Sequence, residues 1–237
     1  MDIGPEPEQP PAIVRRLDMV AATSHLSNGL PDWREVSVVA SAYRPGRWSA
    51  SVGLEHTERF DAADNYAFVR LEARSVGVGG FYVLAGGAPD ADHRARSSVT
   101  VGGDRTLGDR ARLLIDATTA DHAVGRVLTV SPGLALGDED VSAQLTLRWL
   151  NVWDENDDHR MGWLVSGSVP IGGRARLHAA LSDAPETSEG ATVDVASATV
   201  GIRYQASDSL AIRLNFVHED RAAYDRDEVS VSFGRRF

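Results

Sequence analysis

The chain of 237 residues contains no cysteine and no lysine; apart from histidine, every basic side chain is an arginine. Without cysteine there is no disulfide framework and no thiolate metal site. No run approaches the roughly 18 consecutive apolar residues that a membrane helix needs, which excludes a helical membrane protein. Positive charge is also short: the formal net charge is −10, which argues against a nucleic-acid binder. A mean hydropathy of −0.21 reads as soluble. The same value suits a chain in which only alternate residues meet lipid, so a transmembrane barrel is not excluded. The opening MDIGPEPEQPPA has neither a basic n-region nor an apolar h-region. It reads as an extended or disordered tail over 1–11 rather than a signal peptide, so an exported form of the protein is expected to be already processed.

What the sequence does have is alternation. VSAQLTLRWLNVW sets Val141, Ala143, Leu145, Leu147 and Trp149 against Ser142, Gln144, Thr146 and Arg148. SLAIRLNF sets Leu210, Ile212, Leu214 and Phe216 against Ala211, Arg213 and Asn215, and AFVRLEARS sets Val69 and Leu71 against Arg70, Glu72 and Arg74. A period of two is the strand signature. The polar face carries Arg and Glu in mid-strand, which a packed sandwich core would not tolerate.

The connections alternate between short ones (44–47, 75–80, 106–110, 136–140, 171–174, 206–209) and long ones such as HLSNGLPDWRE, HTERFDAADN, GAPDADHRAR and HEDRAAYDRDE. About fourteen strands result, with short turns at one end and long loops at the other, as in outer-membrane barrels. RSSVTVGGD is weakly apolar and RVLTVSPGLALG holds Pro132, so twelve strands is the alternative. Aromatic residues fall near the strand ends, Trp33, Phe60, Tyr66, Trp153 and Trp163 at one level and Tyr43, Trp48, Phe81, Tyr82, Tyr204 and Phe237 at the other. They predict two interfacial girdles. The expected fold is all-β: one closed antiparallel transmembrane β-barrel over 12–237, in the outer membrane of a Gram-negative bacterium. The terminal VSVSFGRRF is its closing strand, with Val229, Val231 and Phe233 toward lipid and Phe237 at the periplasmic interface. Expected partners are outer-membrane lipid and lipopolysaccharide.

The stretches LSNGLPDWREVSV, GLEHTERFDAADN and GAPDADHRARSSV, in that order, together with the terminal VSVSFGRRF, resemble the YaiO-type outer-membrane β-barrel family. The resemblance spans the chain from about residue 12. It implies the fold and the location, and some relatives sit beside envelope-glycan machinery. The terminal Phe also resembles the signal read by barrel-assembly machinery, a further partner by resemblance.

Candidate chemistry lies on the polar face. Arg16, Arg70, Glu72, Arg74, Arg112, Asp116, Arg148 and Arg213 predict a charged lumen, either an Arg-lined selective pore or a salt-bridged interior that only stabilises the wall. No loop reads as long enough to be a dedicated plug. His56, His93, His122, His159 and His218, with Asp154 and Asp157, lie near the long loops among other acids. They are candidates for a transition-metal site at the rim, against the plainer reading of a solvated acidic rim. Ser27 near His25 and Ser182 near Asp183 are the only hints of a nucleophile, and no spacing singles one out, so no catalysis and no cofactor is expected. The functional readings are a passive pore or a conduit associated with envelope-glycan export, a structural or adhesive barrel with an acidic extracellular rim, and an outer-leaflet lipid-modifying enzyme.

Overall fold

The computed structural model describes residues 12–137, 142–188 and 191–237; the tail 1–11 and part of the 136–140 turn lie outside them. Fourteen strands follow one another: β1 (Val14–Leu26), β2 (Trp33–Arg44), β3 (Trp48–Arg59), β4 (Ala62–Ser75), β5 (Gly79–Gly87), β6 (Ser97–Leu107), β7 (Ala111–Asp121), β8 (Arg126–Gly137), β9 (Gln144–Trp153), β10 (His159–Pro170), β11 (Ala175–Ser188), β12 (Ala191–Gln205), β13 (Leu210–Arg221) and β14 (Tyr224–Arg236). Each pairs with its sequence neighbours and β1 pairs with β14, closing an antiparallel barrel. Both doubtful segments are strands, β6 and β8, so the count is fourteen rather than twelve.

The closing seam is built as the terminal alternation requires. Met19 stands opposite Phe233, Ala21 opposite Val231 and Thr23 opposite Val229, and the Phe237 amide donates to the Arg15 carbonyl at 2.9 Å. The last strand therefore has a partner on each side and no free edge. Pro132 sits in β8 with full pairing to β7, while the β8–β9 ladder skips positions 131 and 132. The Arg148 and Asn151 side chains donate to the carbonyls of Ser131 and Val130, each at 3.3 Å, beside that interruption.

The two ends of the barrel differ, although not as loop lengths predict. The lower end, nearest the C-terminus, has the turns 45–47, 76–78, 108–110, 171–174 and 206–209. At the upper end, several expected long loops are paired strand. β3 and β4 are joined only by Phe60 and Asp61, both with positive φ (49° and 66°), as a two-residue hairpin turn requires. β13 and β14 are joined only by 222–223, and β11 and β12 stay paired out to Ser188 and Ala191. The polar stretches at these tips still alternate, so their backbone groups pair with a neighbouring strand instead of with water. Most of the strands, up to 15 residues in β12, exceed the roughly 9–11 residues that cross a bilayer, while β5, β6, β7 and β9 match that length.

The outward face carries exposed Val36, Val52, Leu54, Val69, Leu71, Val101, Ile115, Leu145, Leu147, Val200, Leu214 and Phe233. The girdle expectation holds in part. Trp48, Phe81, Tyr204 and Phe237 are exposed at the lower end and Trp163 toward the upper end. Trp33, Tyr66 and Tyr82 instead turn inward, where their ring faces meet Arg59, Arg94 and Arg70 and the Tyr82 hydroxyl meets Asp116.

Candidate functional site

Side chains on the polar face reach across an intervening strand to touch each other, which only the concave side of a barrel permits. Tyr66 on β4 bonds Ser98 on β6 at 2.7 Å, Arg74 on β4 bonds Asp104 on β6 at 2.9 Å, and His178 on β11 bonds Asn215 on β13 at 2.7 Å. Small residues on the strand between make room. A Cβ at Gly201 would collide with both His178 and Asn215.

The sequence-predicted lumen residues all lie on this face, and most fall into two groups. On β4–β7, Arg70 bonds Glu72 at 3.2 Å, Arg74 reaches Glu72 and Asp104, and Arg112 lies 4.0 Å from Asp104. Arg70 also stacks on Tyr82, 3.7 Å from the ring centre. On β5–β9, Asp116 is shared between the Tyr82 hydroxyl at 2.6 Å and the Arg148 guanidinium. Arg16 pairs with Asp18 on its own strand. Arg213 stands apart on β13, opposite Arg203.

Water access changes along the barrel. In the lower and middle lumen Arg70, Arg74 and Arg112 keep about a third of their side-chain surface. At the upper end Arg221 keeps 4% and Glu219 8%. Two clusters cause this closure. In the first, Trp33 packs edge-on against Phe60 and Tyr224 at 5.4 and 6.0 Å, with Arg59, Arg226 and Arg221 over its ring at 4.2, 5.2 and 5.5 Å. Glu219 accepts from Arg221 and Arg226, and Glu186 takes Arg221 through both oxygens at 2.9 Å. The most buried of these charges, Arg221, Arg226 and Glu219, are all paired, as burial demands.

The second cluster is the 88–96 connection between β5 and β6, which tucks into the mouth although its length gives no such signal. Asp64 on β4, wholly buried, accepts the backbone N–H groups of Asp92, His93 and Arg94 at 2.9, 3.0 and 2.8 Å. His93 is buried and bonds Thr57 at 2.9 Å, while Arg94 pairs with Glu55 and lies 4.7 Å from the centre of the Tyr66 ring. Burial pushes the His93 imidazole below its ordinary pKa, against the opposing pull of Asp64.

The proposed metal ligands are not gathered. Among the described residues no group of three His, Asp or Glu side chains has metal-binding proximity. His93 points into the lumen, whereas the strand registers put His56 and His218 outward, His56 bonded to Asn65 at 2.9 Å and His218 to Asp227 at 2.8 Å. His159 stacks on Trp153 at 4.8 Å. His122 lies in the β7–β8 connection, its imidazole held below its ordinary pKa by burial. Asp154 is spent on local structure: the N–H groups of Asn156 and Asp158 and the Arg160 guanidinium hold it well below the usual carboxylate range. Asp157 sits in that same turn with a φ of 63°. Alternation puts acids that neighbour one another in sequence on opposite faces, so density in sequence does not become a cluster in space. The Ser27 hint dissolves similarly. The Ser27 hydroxyl accepts the Asp225 N–H at 2.9 Å, while His25 pairs with Asp32.

No family model and no curated protein matches the chain. Solved structures do. Omp33, an outer membrane protein of Acinetobacter baumannii, superposes with a TM-score of 0.62 at 10% identity, covering 94% of this chain and 99% of that one. A bacterial polysaccharide outer membrane secretin gives 0.62 at 11% identity, over 94% and 98% of the two chains. The CymD monoaromatic hydrocarbon channel gives 0.59 at 10% identity, over 96% and 88%. At such identity the likeness establishes the architecture, and the fold of this chain is that of the outer-membrane β-barrels.

Proposed function

We propose that the chain is a bacterial outer-membrane pore through which small hydrophilic solutes diffuse passively. The lower end lies at the periplasm and the upper end outside. The observation that carries this reading is the gradient of water access along one charged wall. Arginines in the lower and middle lumen are paired along the wall yet one-third exposed, while the upper mouth is narrowed by the 88–96 segment and the Trp33 cluster. A purely structural interior would have no need to keep guanidinium groups wet, since apolar packing fills a small lumen at lower cost. The outward band of Val, Leu and Phe suits lipid.

Planar-bilayer recording of the refolded protein tests the proposal. Discrete conductance steps in potassium chloride support it, and silence across a wide range of salt and voltage contradicts it. The resemblance to YaiO-type barrels favours a narrower version, a conduit serving envelope glycans, and the fold shared with a polysaccharide secretin is compatible with it. Uptake of neutral oligosaccharides of graded size into proteoliposomes distinguishes the two. A general pore admits them by size alone, while a glycan conduit passes one class preferentially.

A further inference from the structure

We propose that the 88–96 connection is an acid-released lid: docked, it narrows the upper mouth, and undocked, it opens the lumen to water. This deepens the pore reading and rests on it for what the open mouth admits.

The segment has two faces of its own. Ala88, Ala91 and His93 are buried, while Pro89, Asp90 and Asp92 are exposed. Its base is tied to itself and to the barrel wall. The Ala88 N–H donates to the Ala95 carbonyl at 3.2 Å, and the Arg96 N–H donates to the Asp121 carbonyl at 2.8 Å. Between these ties the hold is mostly polar. Asp64 accepts three successive N–H groups, the Thr57 hydroxyl meets His93 Nε2, and Arg94 pairs with Glu55. The apolar part is two alanine side chains packed with Tyr66 and Phe68. Polar contacts at a mouth exchange for contacts with water at small net cost. A segment with so little apolar burial belongs to the parts of a fold that open locally, without global unfolding. The ties at 88, 95 and 96 let residues 89–94 lift while the strands stay paired.

His93 supplies the trigger. Its Nδ1 is buried without a hydrogen-bond partner among the described residues, although an Asp64 oxygen lies 3.3 Å away. The imidazole is thus cut off from water at that nitrogen, and charging it in the docked lid incurs a desolvation cost that the undocked lid escapes. The groups that face it are Thr57 and Arg59 on β3, Asp64 on β4, and Asp92 and Arg94 on the segment itself. Burial outweighs the pull of the two carboxylates, and the two arginines add to it, so the pKa lies below its ordinary value. The undocked state therefore takes up the proton more readily, and falling pH releases the lid.

The absence of cysteine makes a direct test possible. Ala91→Cys gives the chain one thiol, buried by the docked lid. The refolded full chain in lipid vesicles is labelled with a water-soluble maleimide, and each rate is divided by that of the urea-unfolded chain at the same pH. Adding Asp64→Ala should speed labelling at pH 7 by about tenfold or more, the range for losing hydrogen bonds to a charged group. Asp64→Asn takes its place if that variant does not refold. With Asp64 intact, labelling should speed up as pH falls below about 6.5, by up to about tenfold per unit, the limit for one titrating group. His93→Gln should abolish that acceleration. In planar bilayers the high-conductance level should gain occupancy over the same range. The lid is overturned if labelling at pH 7 is the same with and without Asp64. Its trigger is overturned if labelling does not speed up in acid, or does so equally in His93→Gln. Absence of current in every variant would count against the pore, whereas unchanged labelling would count against the lid alone.

Discussion

The Tyr82 hydroxyl donates to the Asp116 carboxylate at 2.6 Å from two strands away. Gly102, on the strand between them, makes the bridge possible, since a Cβ there would collide with both partners. Gly102→Val should therefore destabilise the barrel by about 1–3 kcal/mol, the usual cost of overpacking. Tyr82→Phe, which removes only the hydroxyl, should cost about 1 kcal/mol. Urea titration of both variants in lipid vesicles checks the order; a Gly102→Val protein as stable as the parent would mean that the bridge does not form.

Fold and facing were legible because alternation is local. Leu145, Leu147 and Leu214 are outward and Arg148 and Arg213 inward on the same strands, as the period of two dictates. Contacts that skip a strand were not legible, because Tyr82 and Asp116 are 34 residues apart and neither belongs to a motif. A signal did exist: Gly102 and Gly201 sit at inward positions, where a missing side chain must serve its neighbours. The 88–96 segment misled because polarity reads as solvent exposure, although its backbone N–H groups were destined for one buried carboxylate.

That carboxylate gives the next prediction. Asp64→Ala leaves three N–H groups without their acceptor, and the segment should leave the mouth. Amide hydrogen exchange at Asp92, His93 and Arg94 should accelerate by about tenfold or more, since hydrogen bonds to a charged group are worth roughly 1.5–3 kcal/mol. Unchanged protection would show that the segment is held by other contacts.

Docking of the same segment should depend on pH through His93. Its pKa is lowered by burial, so the undocked state binds more protons in the window just below the ordinary histidine value of about 6.5. Stability of the docked state is complete above that value and falls as pH drops below it. Asp64 and Asp92 oppose this trend, and Arg59 and Arg94 reinforce it. Exchange at Arg94 should rise between pH 7 and pH 5 after correction for intrinsic rate, and His93→Gln should flatten the profile. A rise toward alkaline pH would reverse the assigned sign.

At the upper mouth, Arg221→Met should cost about 3–5 kcal/mol, because it strips a buried guanidinium from Glu219 and leaves that carboxylate with Arg226 alone. Adding Glu219→Gln to it should recover part of the loss, as an uncharged partner no longer needs the missing cation. Vesicle unfolding of the single and double variants measures this, and an equal or greater loss in the double variant would refute the pairing.

The central claim is that the charged face lines a wet lumen while the apolar face meets lipid. Adjacent residues on β13 test it directly: Leu214 is outward and half exposed, and Arg213 is inward. The two variants Leu214→Arg and Arg213→Leu are refolded into lipid vesicles and their unfolding free energies compared. Leu214→Arg, which forces a charge into hydrocarbon near the midplane, should lose about 2–4 kcal/mol, and Arg213→Leu should lose much less. If Arg213→Leu proves the more damaging of the two, the barrel is inside out and its apolar face forms a dry core.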